Sequence, residues 1–200
     1  VNLERLWVHD NSLSSLDLSN NGLINHLYAQ NCQLSELNIS NLDSLEYLVA
    51  HDNQFTELNL NNNLKINGFD LSNNSLQYLD LTNNNKLRNA FLGNNVLRSV
   101  SFNNMEDLQV VNVANNNLRS LGLKHSSVVF EELYATNNPE LACIEVIDER
   151  YHSDRFSFEN GNLDEGVFFS TVCNVSVFQP QTKVELVEAV HAWIMGDILT

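Results

Sequence analysis

The sequence predicts a solenoid, a stack of short coils in which extended segments line up as a parallel β-sheet and little helix forms. Two periodic patterns predict it, because a stack needs an apolar residue at the same place in every coil. The first pattern steps by 21 residues, with a last step of 22, through Leu3, Ile24, Leu45, Ile66, Leu87, Leu108 and Phe130. The second keeps that step until a last step of 23, through Leu13, Leu34, Phe55, Leu76, Leu97, Leu118 and Leu141. Each coil therefore has two similar halves.

The first half of each coil reads L-x-x-L-x-[LVA]-x-x-N-x-[LF], as in Leu45, Leu48, Ala50, Asn53 and Phe55. This motif resembles the leucine-rich repeat, and the resemblance implies a right-handed solenoid of the α/β superhelix class whose parallel sheet lines a concave face. In this motif the Asn side chain bonds the backbone where the coil turns. The position is filled by Asn11, Cys32, Asn53, Asn74, Asn95, Asn116 and Asn138. At this position a Cys is predicted to be a buried structural thiol rather than a nucleophile.

The second half of each coil alternates apolar and polar residues, as over residues 14–21. Alternation of this kind predicts a short extended segment rather than a helix. Because stacked strands lie about 4.8 Å apart, about seven coils make a slab roughly 34 Å long. We assign residues 1–141 to this solenoid.

The periodicity fails after Leu141, where a cap is expected to cover the open end of the stack. The chain reads N-P-E-L-A-C-I-E-V over residues 138–146 and F-S-T-V-C over residues 169–173. These strings resemble the C-terminal cap of short leucine-rich repeats in secreted and cell-surface bacterial proteins. The resemblance implies a disulfide between Cys143 and Cys173 in an otherwise irregular cap over residues 142–174, and hence a non-cytosolic location. The alternative is two free thiols.

Residues 175–200 follow a different rule, because Thr182 and Glu185 are spaced as a helix capping box. A predicted amphipathic helix then places one apolar face on Leu186, Ala189, Val190, Trp193 and Ile194. This string resembles the opening of the BspA-like surface-protein repeat domain, whose later motifs are absent here. The chain is therefore expected to be a piece of a larger protein; the alternative is a helix that packs on the cap of a complete small protein.

The composition is that of an acidic chain, with a formal net charge of −15 and no apolar run long enough to cross a bilayer. Clustered Lys and Arg are missing, which argues against nucleic acid, anionic membrane surfaces and membrane insertion. Partners should be neutral or basic. Ten of the acidic residues lie between residues 131 and 166. That cluster is interpreted as the solvated surface of the cap, with a calcium site as the alternative although no D-x-D-x-D-G loop is present.

The candidate site is the outward side of the first-half strands, where residue type varies from coil to coil and aromatic and His residues collect in the first three coils. Exposed aromatic side chains rimmed by polar groups commonly mark an interaction surface. The central column supplies Trp7, Tyr28, Val49, Asp70, Phe91 and Tyr134, and the flanking columns supply His9, His26, Gln30, Tyr47 and His51.

Metal binding and catalysis are not expected, and no cofactor is predicted. His9 and His51 share a column two coils apart, roughly 10 Å, and His26 lies on the other flank, which is too wide for one metal ion. The sequence contains none of the nucleophile-elbow, zinc-helix or phosphate-loop motifs. The grouped histidines do suggest pH-sensitive binding.

The function these features predict is non-enzymatic recognition of a protein partner, as in adhesion or assembly, by a secreted or bacterial cell-surface module. The first alternative is a carbohydrate-binding module that uses the same concave aromatic residues to stack on sugar rings. The second is a structural spacer for a missing C-terminal domain. The exposed ends of the solenoid are also expected to favour self-association.

Overall fold

The structure is a computed structural model that describes residues 2–125 and 130–173. Seven strands, one from the first half of each coil, form a continuous parallel sheet that we call the main sheet. We number the coils 1 to 7 after these strands. They are β1 (Arg5–Trp7), β2 (His26–Tyr28), β3 (Tyr47–Val49), β4 (Gly68–Asp70), β5 (Asn89–Phe91), β7 (Val110–Asn112) and β9 (Glu132–Tyr134). The predicted parallel-stranded solenoid is confirmed.

A second parallel sheet, which we call the back sheet, forms on the opposite side of the coils. Its strands are β6 (Ser99–Ser101), β8 (Ser120–Leu123), β10 (Cys143–Val146) and β11 (Phe168–Ser170). Their order across the sheet is β11-β10-β8-β6. The alternating pattern predicts an extended segment in every second half; within the described residues, those of coils 5 to 7 pair as strands.

The middle residue of each main-sheet strand points inward and builds one continuous apolar core. Leu27, Leu48, Ala90, Val111 and Leu133 are fully buried, one in each of five coils. Burying a leucine side chain contributes about 2 kcal/mol, so stacking identical coils accumulates stability along the axis. The two flanking residues of each strand are left to face outward.

Each coil turns after its main-sheet strand at a residue in the left-handed backbone region. Its occupants are Asp10, Asn31, Asp52, Asn73, Asn94, Asn115 and Asn137, with φ between 53° and 58°. Asn and Asp tolerate this conformation better than other non-glycine residues. The turn residue therefore repeats with the coils as well, one residue before the Asn position of the first-half motif.

The Asn residues of the first-half motif, which we call the Asn ladder, connect these turns from one coil to the next. Asn53 shows the pattern: its Oδ1 accepts from the backbone N–H of Cys32 at 3.2 Å and of Leu34 at 2.9 Å, both in the preceding coil. Its Nδ2 donates to the carbonyls of Ala29 and Ala50. Each Asn thus satisfies buried backbone groups that would otherwise lack partners.

Cys32 fits the same position by donating its thiol to the Val8 carbonyl at 3.0 Å and to the Gln30 carbonyl at 3.4 Å. The side chain is fully buried and the thiol is free. This is the predicted structural placement.

A second set of asparagines, outside the first-half motif, bridges the coils on the back side. Fully buried Asn63 donates from Nδ2 to the carbonyls of Ile39 and Leu42. Asn62 donates to the Ser40 carbonyl at 3.1 Å. In coils 5 and 6 the equivalent link is a backbone bond, from the N–H of Asn104 to the carbonyl of Lys124 at 2.8 Å.

The cap is more regular than predicted, since β10 and β11 extend the back sheet and a short helix, α1 (Glu149–Ser153), lies between them. Asp148 caps this helix by accepting from the backbone N–H of Arg150. The Cys143–Cys173 disulfide is present, with Cα atoms 5.8 Å apart. The predicted helix within residues 175–200 lies outside the described residues.

Asp164 of the cap ends the turn ladder. Its carboxylate oxygens accept from the backbone N–H of Asn137 at 2.8 Å and of Asn138 at 2.7 Å. The last coil has no following coil to do this, so the cap supplies a carboxylate instead.

Candidate functional site

The main-sheet register brings the predicted site residues into columns. Trp7 pairs with Tyr28, Tyr28 with Val49, and Val49 with Asp70. The column continues through Phe91 and Asn112 to Tyr134. One flanking column begins with Arg5, followed by the predicted His26 and Tyr47.

Four of these side chains form a compact group that we call the aromatic patch: Trp7, His26, Tyr28 and Tyr47. The Trp7 and Tyr28 rings are stacked, with centroids 5.4 Å apart and planes 4° apart. His26 stacks on Tyr47 with centroids 5.2 Å apart and lies 6.5 Å from the Tyr28 ring. The patch keeps water access, since Trp7 is 55% exposed and Tyr47 is 37% exposed.

Gly68 makes room for the other side of the Tyr47 ring. A Cβ atom at Gly68 would lie 2.8 Å from Tyr47 Cε1 and 3.2 Å from its Cδ1. Real Cβ atoms do not approach this closely, so any larger residue at Gly68 would displace the ring. The sequence predicted the Tyr but gave no reason to single out this glycine.

His9 and His51 stand beside the patch, each paired with the Asp that follows it. His9 Nδ1 lies 2.7 Å from Asp10, and His51 Nδ1 lies 2.5 Å from Asp52. The amide of Asn31, which donates to Asp10 at 2.9 Å, and the His9 ring hold the pKa of Asp10 below its ordinary value. These carboxylates place acceptors and negative charge at the rim of the patch.

The remaining predicted site residues lie outside the aromatic patch, and some of them bond to neighbouring residues or are half-buried. Asp70 Oδ1 accepts from the backbone N–H and hydroxyl of Ser72. Gln30, Val49 and Phe91 are half-buried. Tyr134, 40% exposed, donates to Glu132 at 3.2 Å, and the charge of that carboxylate raises the pKa of the phenol.

The described part of the chain contains no group of three or more His, Cys, Asp or Glu side chains arranged to hold a metal ion. Within the same residues, no helix is long and apolar enough to cross a membrane.

Sequence reasoning missed two features away from the main sheet. Tyr78, on the back side of coil 4, is 63% exposed and interrupts a column that otherwise carries Ser or Glu. His125 and His152 are buried together under the cap, with ring centroids 5.9 Å apart. The aromatic residue in a polar column was a usable signal, whereas the His pair joins residues that no repeat relates.

Comparison with known proteins yields structures but no sequence families. No family model matches the chain, and no curated protein sequence matches it significantly. The leucine-rich repeat domain of APL1B superimposes with a TM-score of 0.55 at 19% identity, covering 72% of this chain and 57% of that one. The functional domain of InlJ from Listeria monocytogenes, described as including a cysteine ladder, gives a TM-score of 0.51 at 19% identity.

The InlJ match covers 70% of this chain and 40% of that protein's chain. This chain therefore spans about half the length of the structures it resembles. At this level of identity the likeness concerns the fold, which is that of the leucine-rich repeat.

Proposed function

We propose that this protein is a non-enzymatic recognition module that binds a protein partner through the aromatic patch of its main sheet. The observation that carries the proposal is the pair of adjoining ring stacks, Trp7 on Tyr28 and His26 on Tyr47. Stacked rings are already ordered, so little side-chain entropy is lost when a partner covers them. Exposed aromatic anchors ringed by polar groups are the usual centre of a protein interface.

The orientation of the rings favours a protein over a sugar on this face. Sugar binding by stacking needs an open ring face, but Tyr28 has Trp7 against one face and Tyr47 lies between His26 and Gly68. The Tyr28 and Tyr47 rings carry phenol groups as well as ring edges. Edges pack against apolar side chains, and phenols bond backbone groups.

Charge restricts the class of partner. The chain carries a net charge of −15, and the patch is bordered by Asp10 and Asp52. Like charges would repel an acidic partner, whereas a neutral or basic surface with apolar residues at its centre is complementary.

An extracellular or cell-surface location, with a role in adhesion or assembly, completes the proposal. The Cys143–Cys173 disulfide supports it, because such bonds persist in oxidising compartments and are rare in the cytosol.

The test compares two alanine variants of the immobilised chain. Replacing Trp7, Tyr28 and Tyr47 together should abolish capture of partner proteins from extracellular fractions, and Tyr78→Ala on the opposite side should leave capture unchanged. Captured proteins are then titrated in purified form by surface plasmon resonance. Partners retained equally by both variants would refute the patch as the binding surface.

A sharper variant moves the patch without removing any of its side chains. Gly68→Ala should push the Tyr47 ring aside and weaken partner binding about tenfold, the loss expected when one aromatic contact is disrupted. Asn89→Ala, one coil along the same column, is the matched control. Equal affinities for the two variants would show that the position of Tyr47 is unimportant.

A further inference from the structure

The back side of the solenoid carries a groove that is separate from the aromatic patch. It has a volume of about 630 Å³ and runs across coils 4 to 7, from Tyr78 and Asp80 at one end to Glu145 at the other. Three coil steps separate these ends, roughly 14 Å at strand spacing. The volume lies within the range of small-ligand sites.

The groove exists because the back-sheet residues that face it are small. Ser99, Ser101, Ser120 and Gly122 line it. At Gly122 a Cβ atom would come within 2.9 Å of both the Ser101 hydroxyl and the Asn103 carboxamide oxygen. Any side chain at Gly122 would therefore crowd these polar groups.

Tyr78 forms the wall of this groove and also lines a second groove over coils 1 to 4. Its ring has no aromatic or cationic partner among residues 2–125 and 130–173, in contrast to the rings of the aromatic patch. Because Tyr78 is 63% exposed, its ring is accessible to a ligand that stacks on aromatic residues.

The polar groups of the groove have hydrogen-bonding capacity left over. Asn103 uses its Oδ1 to accept from the Lys124 N–H at 2.8 Å, and its Nδ2 has no acceptor within the described part of the chain. Asp80 uses only Oδ1, which accepts from the N–H and hydroxyl of Thr82. Among the same residues, the Ser99 and Ser120 hydroxyls are not engaged. The groove thus offers both donors and acceptors to a ligand.

Charge excludes an anionic ligand. The groove contains the carboxylates of Asp80 and Glu145, and the neighbouring cation, Lys124, is already paired with Glu145 at 2.9 Å. A ligand that suits one open aromatic face, mixed donors and acceptors and a net negative lining is neutral and rich in hydroxyl groups.

We infer that this groove binds a neutral oligosaccharide of about two to three sugar rings, stacked on Tyr78 and hydrogen-bonded to Asp80, Asn103 and the serine hydroxyls. The site lies on the side opposite the aromatic patch, so the protein holds a glycan and a protein partner on different faces. This inference does not depend on the proposed protein partner.

The test is saturation-transfer NMR on the full chain with a panel of neutral sugars: cellobiose, maltotriose, lactose and diacetylchitobiose. At least one should receive saturation and titrate in the millimolar range or tighter. Tyr78→Ala should weaken that sugar about tenfold, whereas Tyr78→Phe, which keeps the ring, should bind nearly as well. Gly122→Ala should also weaken it.

Trp7→Ala on the main sheet is the control and should bind the sugar as the parent chain does. Failure of every sugar on the panel to bind overturns the inference. So does binding that survives Tyr78→Ala, or that is lost with Trp7→Ala, since the sugar would then occupy another surface. Loss of protein capture in the aromatic-patch variants leaves this result unaffected.

Discussion

In coils 1 to 4, the two sides of each coil are held to their neighbours by different bonds. On the main sheet, backbone pairs with backbone through all seven coils. On the back of coils 1 to 4, Asn side chains such as Asn62 and Asn63 make the links instead. Backbone pairing does not depend on side-chain identity, so the outward residues of the main sheet are free to vary. On the back of coils 1 to 4, by contrast, part of the side chains is committed to links between coils.

The largest expected effect comes from the disulfide that holds β11 to the back sheet. Replacing Cys143 and Cys173 by Ser should lower stability by about 3 to 4 kcal/mol, because the crosslink closes a long loop. Denaturant unfolding measures this loss. Hydrogen exchange should rise in the cap while β1 to β5 remain protected, and faster exchange throughout the main sheet would contradict the separation of the two sides.

Two buried asparagines allow the front turn and the back turn to be compared: Asn95 lies in the front ladder and Asn84 on the back side. Asn95→Ala should cost about 3 kcal/mol, because the buried N–H of Leu76 loses its acceptor. Asn84→Leu should cost less than about 1 kcal/mol. The carbonyl acceptors of Asn84, on Leu60 and Asn63, also receive backbone N–H groups, and Leu42 and Met105 occupy the equivalent position in other coils.

Thermal and denaturant unfolding of the two variants gives the comparison directly. Equal losses of unfolding free energy would mean that the back Asn residues contribute as much to stability as the front ladder.

Acid should weaken the cap before it weakens the coils. Burial lowers the pKa of His125 from 6.5 to about 4, with help from the nearby His152, and burial also lowers the pKa of His152. Asp148 raises the pKa of His152, and Arg155 lowers it further. The unfolded chain binds more protons than the folded one, so stability is lost as pH falls below 6.5 toward 4.

The expected loss at pH 5 relative to pH 8 is about 2 kcal/mol for His125. His125→Phe, or the same change at His152, should flatten this dependence if the packing is retained. An unchanged pH profile in both variants would show that other groups control acid stability.

The smallest effect concerns a single exposed link. Asn62→Ala removes the bond to the Ser40 carbonyl and should cost less than 1 kcal/mol, roughly that of one solvent-exposed hydrogen bond. Amide exchange should accelerate near residues 39–40. Asn89→Ala, in a main-sheet strand, should leave the amide exchange of its neighbours unchanged. Faster exchange there would mean that the main sheet also depends on outward side chains.

The periodic pattern predicts the features that repeat from coil to coil and gives no information on those that occur once. The apolar positions, the Asn ladder and the columns containing Trp7 and Tyr28 follow from a constant step, because each coil meets its neighbour in register. Gly68 leaves room for the Tyr47 ring that His26 stacks on, and it follows Tyr47 by 21 residues in the same column, but a constant step does not reveal how large the side chain at a given position is. The cap resemblance supplied the disulfide, but neither α1 nor the His pair repeats, so no spacing revealed them.

The ladder has a direction that matters during synthesis. Asn53 completes the turn that precedes it in the chain, and Asn74, Asn95, Asn116 and Asn138 do the same for their predecessors. A nascent coil that leaves the ribosome is thus finished only when the next coil emerges. Asp164 arrives last and closes the sequence with a carboxylate. Each turn therefore needs only the next coil to complete its bonds, so the bonds can be completed in chain order from the first coils to the cap.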